Sequence, residues 1–186
     1  MQQSTALRVW IEGTIVAALA MILSFVPLQF GSSFSISLGM IPLTLYAFRR
    51  GWKAGLFAGF IWGLLHFPTG NTYFLSVPQV LIEYPIAFTF AGFAGLHATQ
   101  IQQALREGNR SKGIRNIVFG VSAGVVARYF WHFVAGVIFW GDYAVGGLDP
   151  FWFSLIMNGI SGLATGAVTL FVLLLISKKW PSLLLP

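Results

Sequence analysis

The chain has 186 residues, of which 56% are hydrophobic and only 9% charged, against roughly 25% charged in soluble domains, so an ordinary soluble globular protein is excluded. Eleven Lys and Arg against five Asp and Glu give a formal net charge of +6. In so apolar a chain that excess belongs to cytoplasmic loops and the anionic lipid bilayer they meet, not to nucleic acid.

Apolar runs lie at 9 to 28, 36 to 48, 54 to 67, 75 to 98, 116 to 140 and 151 to 177. A crossing takes ~20 apolar residues, so these predict an all-α integral membrane protein of six transmembrane helices, a single domain over 1 to 186. In the first run, Arg8 precedes a long apolar stretch with no small-residue cleavage site after it, which reads as an uncleaved helix and not a signal peptide. Its pairs Gly13 with Ala17, Thr14 with Ala18, and Ala20 with Ser24 suit close approach of another helix, from a partner or from the same bundle. The second and third runs are short, and Gly55, Gly59 and Gly63 suit tight packing against neighbours. In the fourth, Glu83 and Tyr84 stand between Pro78 and Pro85; prolines bend a helix and free carbonyls, and a bend here would aim the carboxylate inward.

The fifth run repeats Arg128, His132, Gly136 and Trp140 every four residues along one face. Gly136 reads as a gap where a ligand can lie. The sixth carries a polar stripe of Ser154, Asn158, Ser161 and Thr165, suited to interhelical hydrogen bonds or to ligand contact. Arg8, then Arg49, Arg50 and Lys53, then Arg106, Arg110, Lys112 and Arg115, then Lys178 and Lys179 share one side of the membrane on this reading. The alternate loops at 29 to 35, 68 to 74 and 141 to 150 contain no Lys or Arg, which predicts a multi-pass cell-membrane protein with both termini cytoplasmic.

The remaining basic residue, Arg128, lies deep in a span, as do Glu83 and His132. Ionisable groups in the membrane are costly and mark pathways or binding sites; the plainer alternative is a structural Glu83–Arg128 pair. His66 and His97, near helix ends, read as satisfied interfacial histidines. At 1.5 Å per residue, Glu83, His132 and Asn158 fall at one depth, roughly 10 to 14 Å below the outer surface. Tyr73, Phe74, Tyr143, Phe151, Trp152 and Phe153 fit an aromatic belt as readily as a site, whereas Trp140 continues the His132 stripe. A carboxylate, an imidazole, an amide and rings in an outward-opening pocket suit a flat, cationic, hydrogen-bonding heterocycle.

The sequence has no G-x-x-x-x-G-K-[ST] phosphate loop, no H-E-x-x-H or G-x-S-x-G, and no carboxylate pair within one span. No metal site, cofactor or catalytic residue is assigned. With no visible inverted halves, the chain reads as a binder that needs partners; an intramembrane enzyme or pore is the rival from another class.

F-R-R-G-W-K-A-G (48 to 55), I-W-G-L-L-H-F (61 to 67), L-I-E-Y-P (81 to 85), R-Y-F-W-H-F-V-A-G-V-I-F-W (128 to 140) and M-N-G-I-S-G (157 to 162) resemble the thiamine-specific substrate-binding (S) subunit of energy-coupling factor transporters. The resemblance runs from about residue 9 to the Lys178–Lys179 pair. It implies the S-component fold, high-affinity capture of thiamine from outside, and delivery through a module of one transmembrane coupling (T) subunit and two ATP-binding (A) subunits. It further implies that Glu83 and Tyr84 hold the aminopyrimidine, that Trp140 stacks on a ligand ring, and that His132 contacts the ligand beside Gly136. Tyr73 and Asn158 match further binding positions, and Arg128 falls where the family has a basic residue that orients the carboxylate or closes the floor. The sequence departs from the family at Ser33, where the first outer loop lacks a lid tryptophan for which Phe30 or Phe34 would substitute. It departs again at Phe153, in place of a tyrosine, and at Val145, in place of an outer-loop tryptophan. These departures bear on preference among thiamine, its phosphates and pyrimidine precursors, and another vitamin is the rival ligand.

Overall fold

The computed structural model describes residues 2–30 and 34–186. Six principal helices form among them: α1 (Gln2–Ser24), α2 (Met40–Arg50), α3 (Trp52–Leu65), α4 (Val77–Arg106), α5 (Arg110–Phe139) and α6 (Pro150–Lys179). Four of them, α1, α4, α5 and α6, are long and apolar enough to cross a membrane. The eleven residues of α2 rise only about 16 Å, short of a ~30 Å hydrocarbon core, and the fourteen of α3 also fall short. Six helices form, as the apolar runs predict; four are long enough to cross a membrane, and the second and third are the short ones.

What precedes α2 explains how a short helix is tolerated. The strands β1 (Gln29–Phe30) and β2 (Phe34–Ser35) pair antiparallel, a minimal hairpin that an all-α reading did not anticipate. The chain then runs along α6, where Ser35 N–H donates to Ser161 Oγ at 3.2 Å and Ser37 N–H to Thr165 Oγ1 at 3.0 Å. Irregular backbone inside a membrane protein persists where protein groups satisfy it, and the α6 hydroxyls do so. Ser33 and the Phe30 side chain lie outside the described residues.

The short helices are held by specific contacts. Tyr46 on α2 donates to Val9 O on α1 at 2.6 Å. Gly51, at φ 88°, turns the chain from α2 into α3, and Gln102 Nε2 on α4 donates to Phe48 O and Arg49 O, capping two terminal α2 carbonyls. A Cβ on Gly63 would stand 2.5 Å from Tyr84 O and 2.9 Å from Tyr84 C, so α3 lies directly on the α4 backbone. The small residues of α1 divide between two directions. Gly13, Ala17 and Ala20 are buried in the bundle, with Gly13 against Tyr46, while Thr14 and Ala18 are exposed.

Helix α4 is not uniform. Ser76 caps its start by accepting from Gln79 N–H, a π-helical turn occupies Ile82–Ile86, and a 3-10 stretch runs over Ala91–His97. Pro85 explains the π turn, because it lacks the N–H that an α-helical hydrogen bond needs. Asn109 caps the start of α5, Glu107 pairs with Lys112 at 3.4 Å, and Asp149 caps the start of α6.

Candidate functional site

The π turn gives α4 a wider, locally irregular stretch, and Glu83, Tyr84 and Pro85 all lie in it. Glu83 Oε1 accepts from the Trp140 indole N–H at 2.7 Å, and its other oxygen accepts from the Gln79 amide. Gln79 is fully buried and is a hub: its amide also donates to Tyr73 O, and its oxygen accepts from Leu75 N–H. Tyr84 lies one residue further, its hydroxyl accepting from Tyr73 N–H at 2.8 Å. One segment, 73 to 84, thus positions a carboxylate, a phenol and an exposed ring at a cavity mouth.

Helix α5 provides the opposite wall. Trp140 caps its end, Tyr73 meets the Trp140 ring edge-on at 6.3 Å and Tyr143 lies 5.4 Å from it. Deeper, His132 packs against Tyr129 at 5.6 Å and Phe88 at 6.0 Å. Helix α6 completes the wall. Asn158 Nδ2 donates to Ser154 O at 3.0 Å and reaches His132 O at 3.5 Å, and Ser154 Oγ donates to Phe133 O.

These groups enclose a cavity of about 220 Å³. All eight residues singled out in the sequence, Tyr73, Glu83, Tyr84, Arg128, His132, Gly136, Trp140 and Asn158, line it. Phe34 and Phe153 line it too, and Val145 is exposed outside it.

Several details differ from expectation. Glu83 and Arg128 form no ion pair among the described residues. Arg128 donates instead to Ser37 Oγ at 2.8 Å, with its guanidinium 4.1 Å from the Phe88 ring centroid, 5.0 Å from Trp62 and 5.4 Å from Tyr129. It therefore lines the cavity with no ion pair to the carboxylate among the described residues. A cation–π contact contributes up to about 2 kcal/mol when desolvated, while burying an ion costs several kcal/mol, so rings alone do not compensate it.

His132 and Asn158 meet, and the Glu83 carboxylate is met by the indole of Trp140, which stands eight residues after His132 on α5. Gly136 lines the cavity, yet a Cβ there would strike Ser154 Oγ and lie 3.3 Å from Asn158 Nδ2. Its missing side chain makes room for α6 before it makes room for a ligand.

His66 is inside the site, contrary to an interfacial placement. It is 4% exposed, lines the cavity, holds Trp62 O at 2.9 Å through Nδ1 and packs 5.1 Å from Tyr84. His97, by contrast, is satisfied by Asn116 at 3.2 Å. Sequence reasoning missed Gln79, Ser37 and Tyr129. The first two are neutral, and only their spacing from Glu83 and their place beside a hydrophobic run could have marked them.

The family model described as thiamine transporter protein matches residues 10–185. The thiamine transporter ThiT of Lacticaseibacillus paracasei is 40% identical over 176 residues, 92% of this chain and 88% of that protein. ThiT of Bacillus subtilis is 34% identical over 187 residues, covering 99% and 97%. The solved structure of ThiT from Listeria monocytogenes superimposes with a TM-score of 0.96 at 48% identity, covering 98% of this chain and 100% of that one. Four membrane-length helices around a lined cavity, a match over nearly the whole sequence and a shared fold lead to one conclusion: this multi-pass membrane chain belongs to the thiamine transporter protein family, a family of transporters and not of enzymes.

Proposed function

We propose that this chain is the substrate-specificity subunit of an ATP-driven thiamine importer of the energy-coupling factor type. As one six-helix domain with both termini cytoplasmic, it captures thiamine with high affinity from the extracellular side. It then hands the vitamin to a module of one T subunit and two A subunits. Relatives named thiamine transporters support the ligand, and the charge asymmetry of the loops supports the orientation.

The observation that carries the reading is the Glu83–Trp140 contact at the cavity mouth. A carboxylate accepts at about four lone-pair positions, and Trp140 and Gln79 occupy two of these. The rest accept from the exocyclic amine of an aminopyrimidine. Trp140, fixed by that bond, offers its face to a ligand ring, and a cation beside a ring and a carboxylate is favoured by both. Tyr84, His132 and Asn158 supply further polar contacts, Tyr73 the mouth, Gly136 the close α5–α6 packing and Arg128 the floor. The bound vitamin is cargo and no cofactor is required for capture.

Titration of tryptophan fluorescence of the purified, detergent-solubilised chain with thiamine tests the proposal. Saturable quenching at submicromolar thiamine is expected, and Glu83→Gln should weaken it at least tenfold, since a hydrogen bond to a charged group contributes about 1.5–3 kcal/mol. No quenching by a folded protein would refute thiamine as the ligand.

A further inference from the structure

Arg128 is 5% exposed and lines the cavity. Among the described residues its buried Nε has no hydrogen-bond partner, and its one hydrogen-bonded partner is the neutral Ser37 hydroxyl. The five acidic residues of the chain are placed elsewhere. Glu12 holds Arg50 at 2.7 and 2.8 Å, Glu107 pairs with Lys112, Asp149 caps α6, Asp142 sits in the short turn after α5, and Glu83 is bound by Gln79 and Trp140. Among the described residues Glu83 and Arg128 form no ion pair. A buried cation without a counter-charge is strongly disfavoured.

Ser37, which accepts from Arg128, and Ser161, which lines the same cavity, can both act as donors. Ser37 Oγ accepts from Arg128 and Ser161 Oγ accepts from Ser35 N–H, so each hydroxyl keeps its own proton to donate. Both residues line the same cavity. We propose that the floor of the cavity is an anion subsite, in which Arg128 and the hydroxyls of Ser37 and Ser161 hold a halide or the phosphate oxygens of a ligand.

The two occupants share one chemistry, a small anion on a guanidinium and two hydroxyls, and differ in origin. A free halide would enter as counter-ion to a cationic vitamin. A phosphate ester would bring both charges in one molecule, its cationic part toward Glu83. Only this coupling to a cationic ligand rests on the proposed function; the anion site itself does not.

The test uses the full chain in detergent and two readouts. The first is thermal unfolding in sodium chloride against sodium gluconate at equal ionic strength, without vitamin. Chloride is expected to raise the melting midpoint of the wild type and not that of Arg128→Met. The second is fluorescence titration with thiamine in both salts, and with thiamine monophosphate in gluconate. Coupling between two bound ligands is typically about 5–150-fold, so about tenfold tighter thiamine binding in chloride assigns a free halide. A similar advantage of the monophosphate over thiamine in gluconate, lost in Arg128→Met, assigns the ligand's own phosphate. If Arg128→Met does not fold, Ser37→Ala, which keeps the charge, should reduce the same effects. Identical midpoints and affinities in both salts, with no advantage for the monophosphate, would overturn the anion site. Chloride-dependent melting with no response to thiamine would sustain it while overturning the proposed function, so the two failures are distinguishable.

Discussion

Replacing Gly63 by alanine places a methyl group against the part of α4 that carries Glu83. The new Cβ would stand 2.5 Å from Tyr84 O, 2.9 Å from Tyr84 C and 3.1 Å from Pro85 Cα. Ordinary carbon contacts begin near 3.5 Å, so the π turn must retreat by about 1 Å. All three obstructing atoms are backbone, so no side chain can rotate away to relieve the clash. Adding the same ~1 Å to the 2.7 Å Trp140–Glu83 hydrogen bond takes it beyond bonding range. Overpacking of this kind costs about 1–3 kcal/mol, and if the distortion falls on the binding turn, thiamine affinity drops roughly 5- to 150-fold by the factor of ten per 1.4 kcal/mol. Gly159 provides the control, since a Cβ there meets nothing within 4 Å and Gly159→Ala should bind normally. Fluorescence titration of both variants, with thermal unfolding alongside, is the assay. Wild-type affinity in Gly63→Ala would refute the claim that α3 sets the position of the Glu83 turn.

Other substitutions separate scaffold from site. Tyr46→Phe removes the 2.6 Å bond to Val9 O and should cost about 1 kcal/mol, visible as a lower melting midpoint with thiamine affinity retained. The double change Ser161→Ala with Thr165→Val leaves the N–H groups of Ser35 and Ser37 without their acceptors, at about 1–3 kcal/mol for each group left unsatisfied. Hydrogen exchange at 34 to 38 should rise, and unchanged protection there would refute the role given to α6. Asp149→Ala removes the cap on Phe151 N–H, and a loss of about 0.5–2 kcal/mol should appear in thermal unfolding without altering ligand specificity.

The legible parts of this protein were those where lipid makes sequence expensive. Arg128, Glu83 and His132 stood out because ionisable groups in spans are rare, and the four-residue stripe on α5 put Arg128 and His132 with Trp140 on one face. The helices followed from hydropathy, α2 included, but the non-helical start of the run 36 to 48 did not, because such a run has the same composition whether helical or packed as extended chain. Hydroxyls such as Ser161 and Thr165 carry too little cost to announce a partner, and theirs proved to be backbone from a distant loop. Gln79 was silent for the same reason. His66 was misplaced because nearness to a helix end in sequence says nothing about whether the ring turns inward. Gly136 was found, but only coordinates reveal that its space is filled by Ser154.

The π turn at Ile82–Ile86 has one more consequence. Such a turn is an α-helix with a residue too many, and each residue advances a helix by ~100°. The segment Val77–Leu81 is therefore out of phase with the rest of α4, and Glu83 and Tyr84 occupy the slip between two registers. Excising one residue of the turn would restore a regular helix while swinging its N-terminal end by about a quarter of a circle. A more ideal helix would thereby lose the Glu83–Trp140 alignment, so the fault in regularity is itself the specification of where the carboxylate points.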